Sequence, residues 1–109
     1  MASRMRAFDT GALKSPDVDK IDYEGHLDPG VLRRFGEYMH KNRFLPDGSM
    51  RDSDNWKLGI PKEQYMKSLI RHVMSAWENH EQGVVDEDEL CAILFNTMGY
   101  LFEHQMENK

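Results

Sequence analysis

The sequence is short of the features that announce most activities. It holds one cysteine, Cys91, in 109 residues, so an intramolecular disulfide is impossible and a cysteine-based zinc site has no second thiolate. Its place on an apolar helix face gives Cys91 the role of a small core residue. No apolar run approaches the roughly 18 residues that a membrane span requires. The opening MASRMRAFDTGA lacks the apolar stretch of about 7–15 residues found in secretory signals. These absences lead us to expect a cytoplasmic chain that does not touch membranes. The 5 histidines show no HExxH spacing, and there is no phosphate-cradling glycine loop, GxSxG or catalytic Cys/His pairing. Positive charge is scarce as well: 14 Lys and Arg against 19 Asp and Glu leave a net charge of −5, which argues against direct nucleic-acid binding.

The charge that is present is unevenly spread. Arg33 to Arg71 is rich in Lys and Arg, whereas Glu78 to Lys109 is almost wholly acidic. Two such regions can dock on each other, or they can surround a phosphorylated ligand, the basic part facing phosphate and the acidic part a divalent metal. A chain of 109 residues makes a single domain with a modest core, burying roughly 60–70% of its unfolded surface. Self-association would add burial.

Along the chain, residues 1–20 show no sustained period and contain Gly11, Ser15 and Pro16, which predicts an extended or flexible arm before one helical domain over 21–109. Asp28-Pro29 reads as an N-cap and first helical position, opening a helix to about Asn42 with Leu32, Phe35 and Met39 as its buried stripe, Val31 and Tyr38 at the edge, and Arg33 and Glu37 as an ion pair. A long connection follows from Arg43 to Ile60, with Pro46-Asp47-Gly48 as a turn. Trp56, Leu58 and Ile60 give it enough apolar surface to lie ordered over the helices. Within it Asp52, Asp54 and Asn55 are either local turn-formers or part of a polar site, and Trp56 either packs or stacks on a base.

Pro61 opens a second helix that Gly83 ends, with Met66, Leu69, Ile70, Val73 and Trp77 as its core stripe. A short connection makes it an antiparallel hairpin with a third helix, Asp86 to His104, whose start carries a capping-box pattern, Asp86 and Glu89. On that helix Leu90, Cys91, Leu94, Phe95, Met98, Leu101 and Phe102 form one broad apolar face. The strip left over carries Glu89, Ala92, Asn96, Gly99 and Glu103. Asn96 in that strip serves either a hydrogen bond to a neighbouring helix or a ligand. Folding the hairpin about Val84 sets His72 level with Asn96 and brings Glu78 and Glu81 beside Glu87 and Asp88. Such a cluster is either a divalent-cation site or an acidic helix start facing solvent.

Five blocks resemble small phage and prophage proteins classed with the N-terminal domain of dATP/dGTP diphosphohydrolases: FDTGA at Phe8 to Ala12, DYEG at Asp22 to Gly25, RDSDNWKLGIP at Arg51 to Pro61, YMKSLIRH at Tyr65 to His72, and EDELCAILFNTMGYLFE at Glu87 to Glu103. The resemblance implies an all-α, MazG-like nucleotide pyrophosphatase acting in phage nucleotide-pool control. It would cleave a purine deoxynucleoside triphosphate to monophosphate and pyrophosphate with Mg²⁺ or Mn²⁺, as a homodimer or larger homo-oligomer. MazG-like helices carry ExxE followed by ExxD; Glu78 and Glu81 match the first half, and no ExxD follows at suitable spacing. Placed on the hairpin, the implied site has metal on Glu81 and Asp88 with Glu78 and Glu87 assisting. His72 would orient water or phosphate, Arg71 would face phosphate, Asn96 the purine edge, and Trp56 would close over the base, with Asp54 and Asn55 also binding substrate. The alternatives are a non-enzymatic helical protein that binds a host protein, and nucleotide binding without hydrolysis.

Overall fold

The structure is a computed structural model and describes residues 5–14 and 18–109. The chain divides into two units, 1–31 and 32–109. In the first, β1 (Arg6–Ala7) pairs antiparallel with β2 (Leu13–Lys14). Gly11 closes their turn with φ +87°, its N–H donating to the Phe8 carbonyl at 2.8 Å. Strands of two residues are too short to show a period, so this pairing falls inside the expected arm. Ser15 and Pro16 lie outside the described residues. A single helical turn, α1 (Tyr23–His26), follows, capped by Asp22, which accepts from the Gly25 N–H at 2.9 Å.

Three main helices make the fold all-α, as the periodicity predicts. The first, α2 (Pro29–Lys41), starts where Asp28 accepts the Val31 N–H at 2.9 Å. Its sheltered side is Arg34, Phe35, Tyr38 and Met39, with Leu32 and Val31 exposed. The stripe is thus turned from the expected one, because Arg34 reaches across to the acids of the last helix (below). The second, α3 (Lys62–Glu81), ends at Gly83, whose φ of +72° lets the Gly83 and Val84 N–H groups cap the His80 and Asn79 carbonyls. The third, α4 (Glu87–Glu107), begins with the Glu89 N–H donating to Asp86 at 3.3 Å.

The α3–α4 packing overturns two expectations. The strip of α4 that meets α3 is the small and polar one: Ala92, Asn96 and Gly99 are buried there, Gly99 directly against Tyr65, which is only 2% exposed. Small side chains let two helix backbones approach closely, and here that outweighs the hydrophobicity of the broader face. Conversely Met66, Ile70, Val73 and Trp77 on α3, and Leu90, Leu94 and Leu101 on α4, are exposed rather than core. The hairpin register also differs from a simple fold about Val84: His72 meets Glu89, not the level of Asn96. Asp86 is extended (φ −108°, ψ +106°), and extended chain covers about 3.3 Å per residue against 1.5 Å in a helix, so the connection carries the start of α4 back along α3.

The long connection packs on the helices through Trp56 and Ile60, as expected, but Leu58, expected to be buried with them, is 85% exposed. Phe44 and Met50 bridge around Gly48, and a 3₁₀ turn, Asn55–Leu58, presents Trp56. Its indole packs edge-on against Phe102 (5.0 Å between centroids) and Phe95 (6.1 Å). Phe95 in turn meets Tyr65 at 5.7 Å, linking the loop to the hairpin core. Among the described residues no helix is long and apolar enough to cross a membrane.

Candidate functional site

The acidic residues come first, because the resemblance places the metal on them. Glu87 and Asp88 begin α4, where carboxylates complement the helix dipole. There they meet α2. Arg34 Nε lies 2.6 Å from Glu87 and its Nη2 2.7 Å from Asp88, and Lys41 holds the other Asp88 oxygen. The Lys41 and Arg34 hydrogen bonds hold the Asp88 carboxyl below the usual carboxylate range, and Asp88, then Glu87, push the Arg34 guanidinium further up. Basic and acidic halves therefore dock on each other. Glu81 accepts from the Trp77 indole at 3.2 Å, and Glu78 is exposed on α3. Among the described residues no three His, Cys, Asp or Glu side chains converge as a metal-holding group.

The remaining expected site residues are scattered. His72 Nδ1 lies 2.8 Å from Glu89 Oε2, a half-buried contact joining α3 to α4. Arg71 is exposed and donates to Ser68 at 3.1 Å. Asn96 is buried and donates to the Ala92 carbonyl one turn earlier in its own helix, at 2.8 Å. Burial pushes the Cys91 thiol up, which suits a small core residue and disfavours a thiolate. Asp54 stands at the head of the 3₁₀ turn, its carbonyl accepting the Lys57 N–H. Of the expected residues, Asn55 and Trp56, with Asp52 of the same loop, line a cleft with the character of a ligand site.

That cleft, of about 230 Å³, lies between the end of α2, the connection and α4. Tyr38, Trp56 and Phe95 give it aromatic walls, and Arg43 and Arg51 stand at its polar side with Asn42, Asp52 and Asn55. The arginines flank the Pro46-Asp47-Gly48 turn and brace one another. Arg43 Nε donates to the Arg51 carbonyl at 2.9 Å, and Arg51 Nη2 to the Asn42 carbonyl at 2.6 Å. Asp47 tightens the turn by accepting from the Ser49 hydroxyl and N–H, which holds its carboxyl below the usual range. Each guanidinium has N–H groups to spare, and among the described residues neither pairs with a carboxylate. Burial, with Asp88 adding to it, pushes the Tyr38 phenol up, so the wall it forms stays neutral.

Tyr38, Arg43 and Arg51 were not singled out from the sequence. The signal for the arginines was their symmetric placement about a turn, which brings two cations to one place. For Tyr38 it was its position beside Met39 on the sheltered side of α2. Comparison of the chain with protein-family models, with curated proteins and with solved structures found no match.

Proposed function

We propose that the chain binds a purine nucleoside triphosphate in the Trp56 cleft. The observation that carries this reading is the pairing of aromatic walls with two braced arginines that lack acidic partners among the described residues. Aromatic faces accept a planar base. Guanidinium groups suit phosphate because they offer forked, always-charged donors. Asn42 and Asn55 add amides, which can read the polar edge of a purine. A volume of about 230 Å³ holds a base and part of a sugar, leaving the triphosphate at the open side near Arg43 and Arg51. The resemblance of the RDSDNWKLGIP block to diphosphohydrolase N-terminal domains supports a purine deoxynucleotide and a place in phage nucleotide-pool control.

That resemblance also implies Mg²⁺- or Mn²⁺-dependent hydrolysis to monophosphate and pyrophosphate. As placed here Glu78, Glu81, Glu87 and Asp88 do not fit one divalent ion, because Arg34 and Lys41 already neutralise the last two. None of the four lines the cleft. Binding, rather than turnover, is therefore the function the geometry supports best.

The test is calorimetric titration with dATP, dGTP, their ribonucleotide counterparts and inorganic triphosphate. Saturable binding of purine nucleotides is expected. Hydrogen bonds to charged groups are worth about 1.5–3 kcal/mol, so Arg43→Ala and Arg51→Ala should each weaken binding by roughly 10- to 100-fold. No binding at millimolar nucleotide by folded protein, or unchanged affinity in both variants, would refute the reading.

A further inference from the structure

The described residues bury remarkably little apolar surface for a chain of this length: the buried hydrophobic side chains are Tyr65, Cys91 and Ala92. Much of what should be core lies instead along α3 and the start of α4. On α3, Ile70 is 56% and Trp77 60% exposed, with Met66 and Val73 beside them at alternating four- and three-residue spacing. That is the spacing of a helix seam awaiting another helix. On α4, Leu90 is 47% exposed. At about 100° per residue, the α3 seam lies to one side of the Tyr65 face, and Leu90 lies about 120° round from Asn96 toward that same side, whereas Leu94 faces nearly away from α3. Antiparallel pairing turns the seam and Leu90 toward the same side of the hairpin, away from the face of α4 that Trp56 covers. Together with Met74 and the exposed valines of the connection, Val84 and Val85, they offer on the order of 700 Å², close to the ~800 Å² each partner gives to a standard interface.

The charges beside this seam indicate what covers it. Lys67 and Arg71 are exposed on the first half of α3, and Glu78 and Glu81 on its last turns. Among the described residues none of the four makes an ion pair. Each pair sets like charges one turn apart, which disfavours an isolated helix by a few tenths of a kcal/mol. Their order also opposes the helix dipole, which prefers acids at the start and bases at the end. Laid antiparallel on a copy of itself, the same edge becomes complementary. Centred on Met74, Lys67 meets Glu81 of the second copy and Arg71 meets Glu78, and two-fold symmetry repeats both pairs. Ile70 then lies opposite Trp77. A surface that satisfies itself under a two-fold axis is the signature of an isologous interface.

We propose that two copies of this chain associate through α3, laid antiparallel about Met74, so that each hairpin buries the apolar seam of the other in a four-helix arrangement. The occupant of the seam is thus a second copy.

The test is a charge exchange. Lys67→Glu/Arg71→Glu makes the edge wholly acidic, and Glu78→Lys/Glu81→Lys makes it wholly basic. All four positions are exposed, so circular dichroism should show native helix content in both variants. The wild type is expected to sediment as a dimer at tens of micromolar and each variant alone as a monomer. An equimolar mixture should give a 1:1 heterodimer in native mass spectrometry. A monomeric wild type would overturn the proposal. So would variants that stay dimeric alone, or a mixture that stays monomeric, the last being the outcome if a different protein were the natural occupant.

Discussion

Gly99→Ala is the sharpest test of the α3–α4 packing. A β-carbon at position 99 would fall within the ring of Tyr65, with the phenol oxygen 2.7 Å away. Tyr65 is 2% exposed and wedged against Phe95, so its ring has nowhere to retreat. Overpacking of this kind costs typically about 1–3 kcal/mol, and a clash with the body of a buried ring belongs near the top of that range. Alanine recovers about 1 kcal/mol of helix propensity over glycine. The net loss is thus about 2 kcal/mol, or a fall in Tm of roughly 10 °C for a domain of this size. Urea unfolding followed by circular dichroism, at fixed protein concentration because self-association adds to apparent stability, measures it. The control is Tyr65→Ala: with the ring gone, adding Gly99→Ala should stabilise by about 1 kcal/mol, reversing the sign. If Gly99→Ala stabilises the wild-type background too, the close approach of Tyr65 to α4 is wrong. Because the Tyr65 hydroxyl is buried without a partner among the described residues, Tyr65→Phe should be neutral or stabilising by up to about 1 kcal/mol.

Three further outcomes follow from the contacts. The depressed Asp88 carboxyl contributes stability that is fully present above its unfolded value of about 3.9 and is lost as pH falls through the lower folded value. Acid unfolding should therefore begin at higher pH in Lys41→Met, and Asp88→Asn should lose that part of the pH dependence; identical acid profiles in all three proteins would contradict the pairing. His72→Ala and Glu89→Ala should show a coupling of about 1–2 kcal/mol in a double-mutant cycle, and purely additive effects would mean the 2.8 Å contact carries no energy. Trp56→Ala removes the ring that holds the connection onto Phe95 and Phe102, so limited proteolysis should move to residues 43–60 at a stability cost of about 2 kcal/mol; an unchanged cleavage pattern would argue against that anchoring.

The helices were legible in the sequence because their ends are written in local chemistry. Asp28, Gly83 and Asp86 each cap through their own backbone neighbourhood, and the structure places those ends within a residue or two of where the caps imply. The faces were not legible. Periodicity reports which residues are apolar but not which neighbour covers them, and on α4 the close approach allowed by Ala92 and Gly99 decided the packing. The site was legible only in part. Asn55 and Trp56 stand out in a long loop, whereas the arginines that share their cleft are eight residues apart and meet only because the turn at Gly48 folds them together. The partners of Glu87 and Asp88 were not legible for a related reason: spacing along α3 and α4 takes no account of Arg34 and Lys41 arriving from α2.

The measurement that bears most directly on the central claim is a ¹⁵N–¹H correlation spectrum of the chain titrated with dATP and dGTP. Saturable shifts of the Trp56 indole N–H and the Asn42 and Asn55 side-chain amides, with the Trp77 indole unmoved, are what nucleotide binding in the cleft requires. Shifts confined to Trp77 and the start of α4, or a spectrum that does not change at saturating nucleotide, would contradict it.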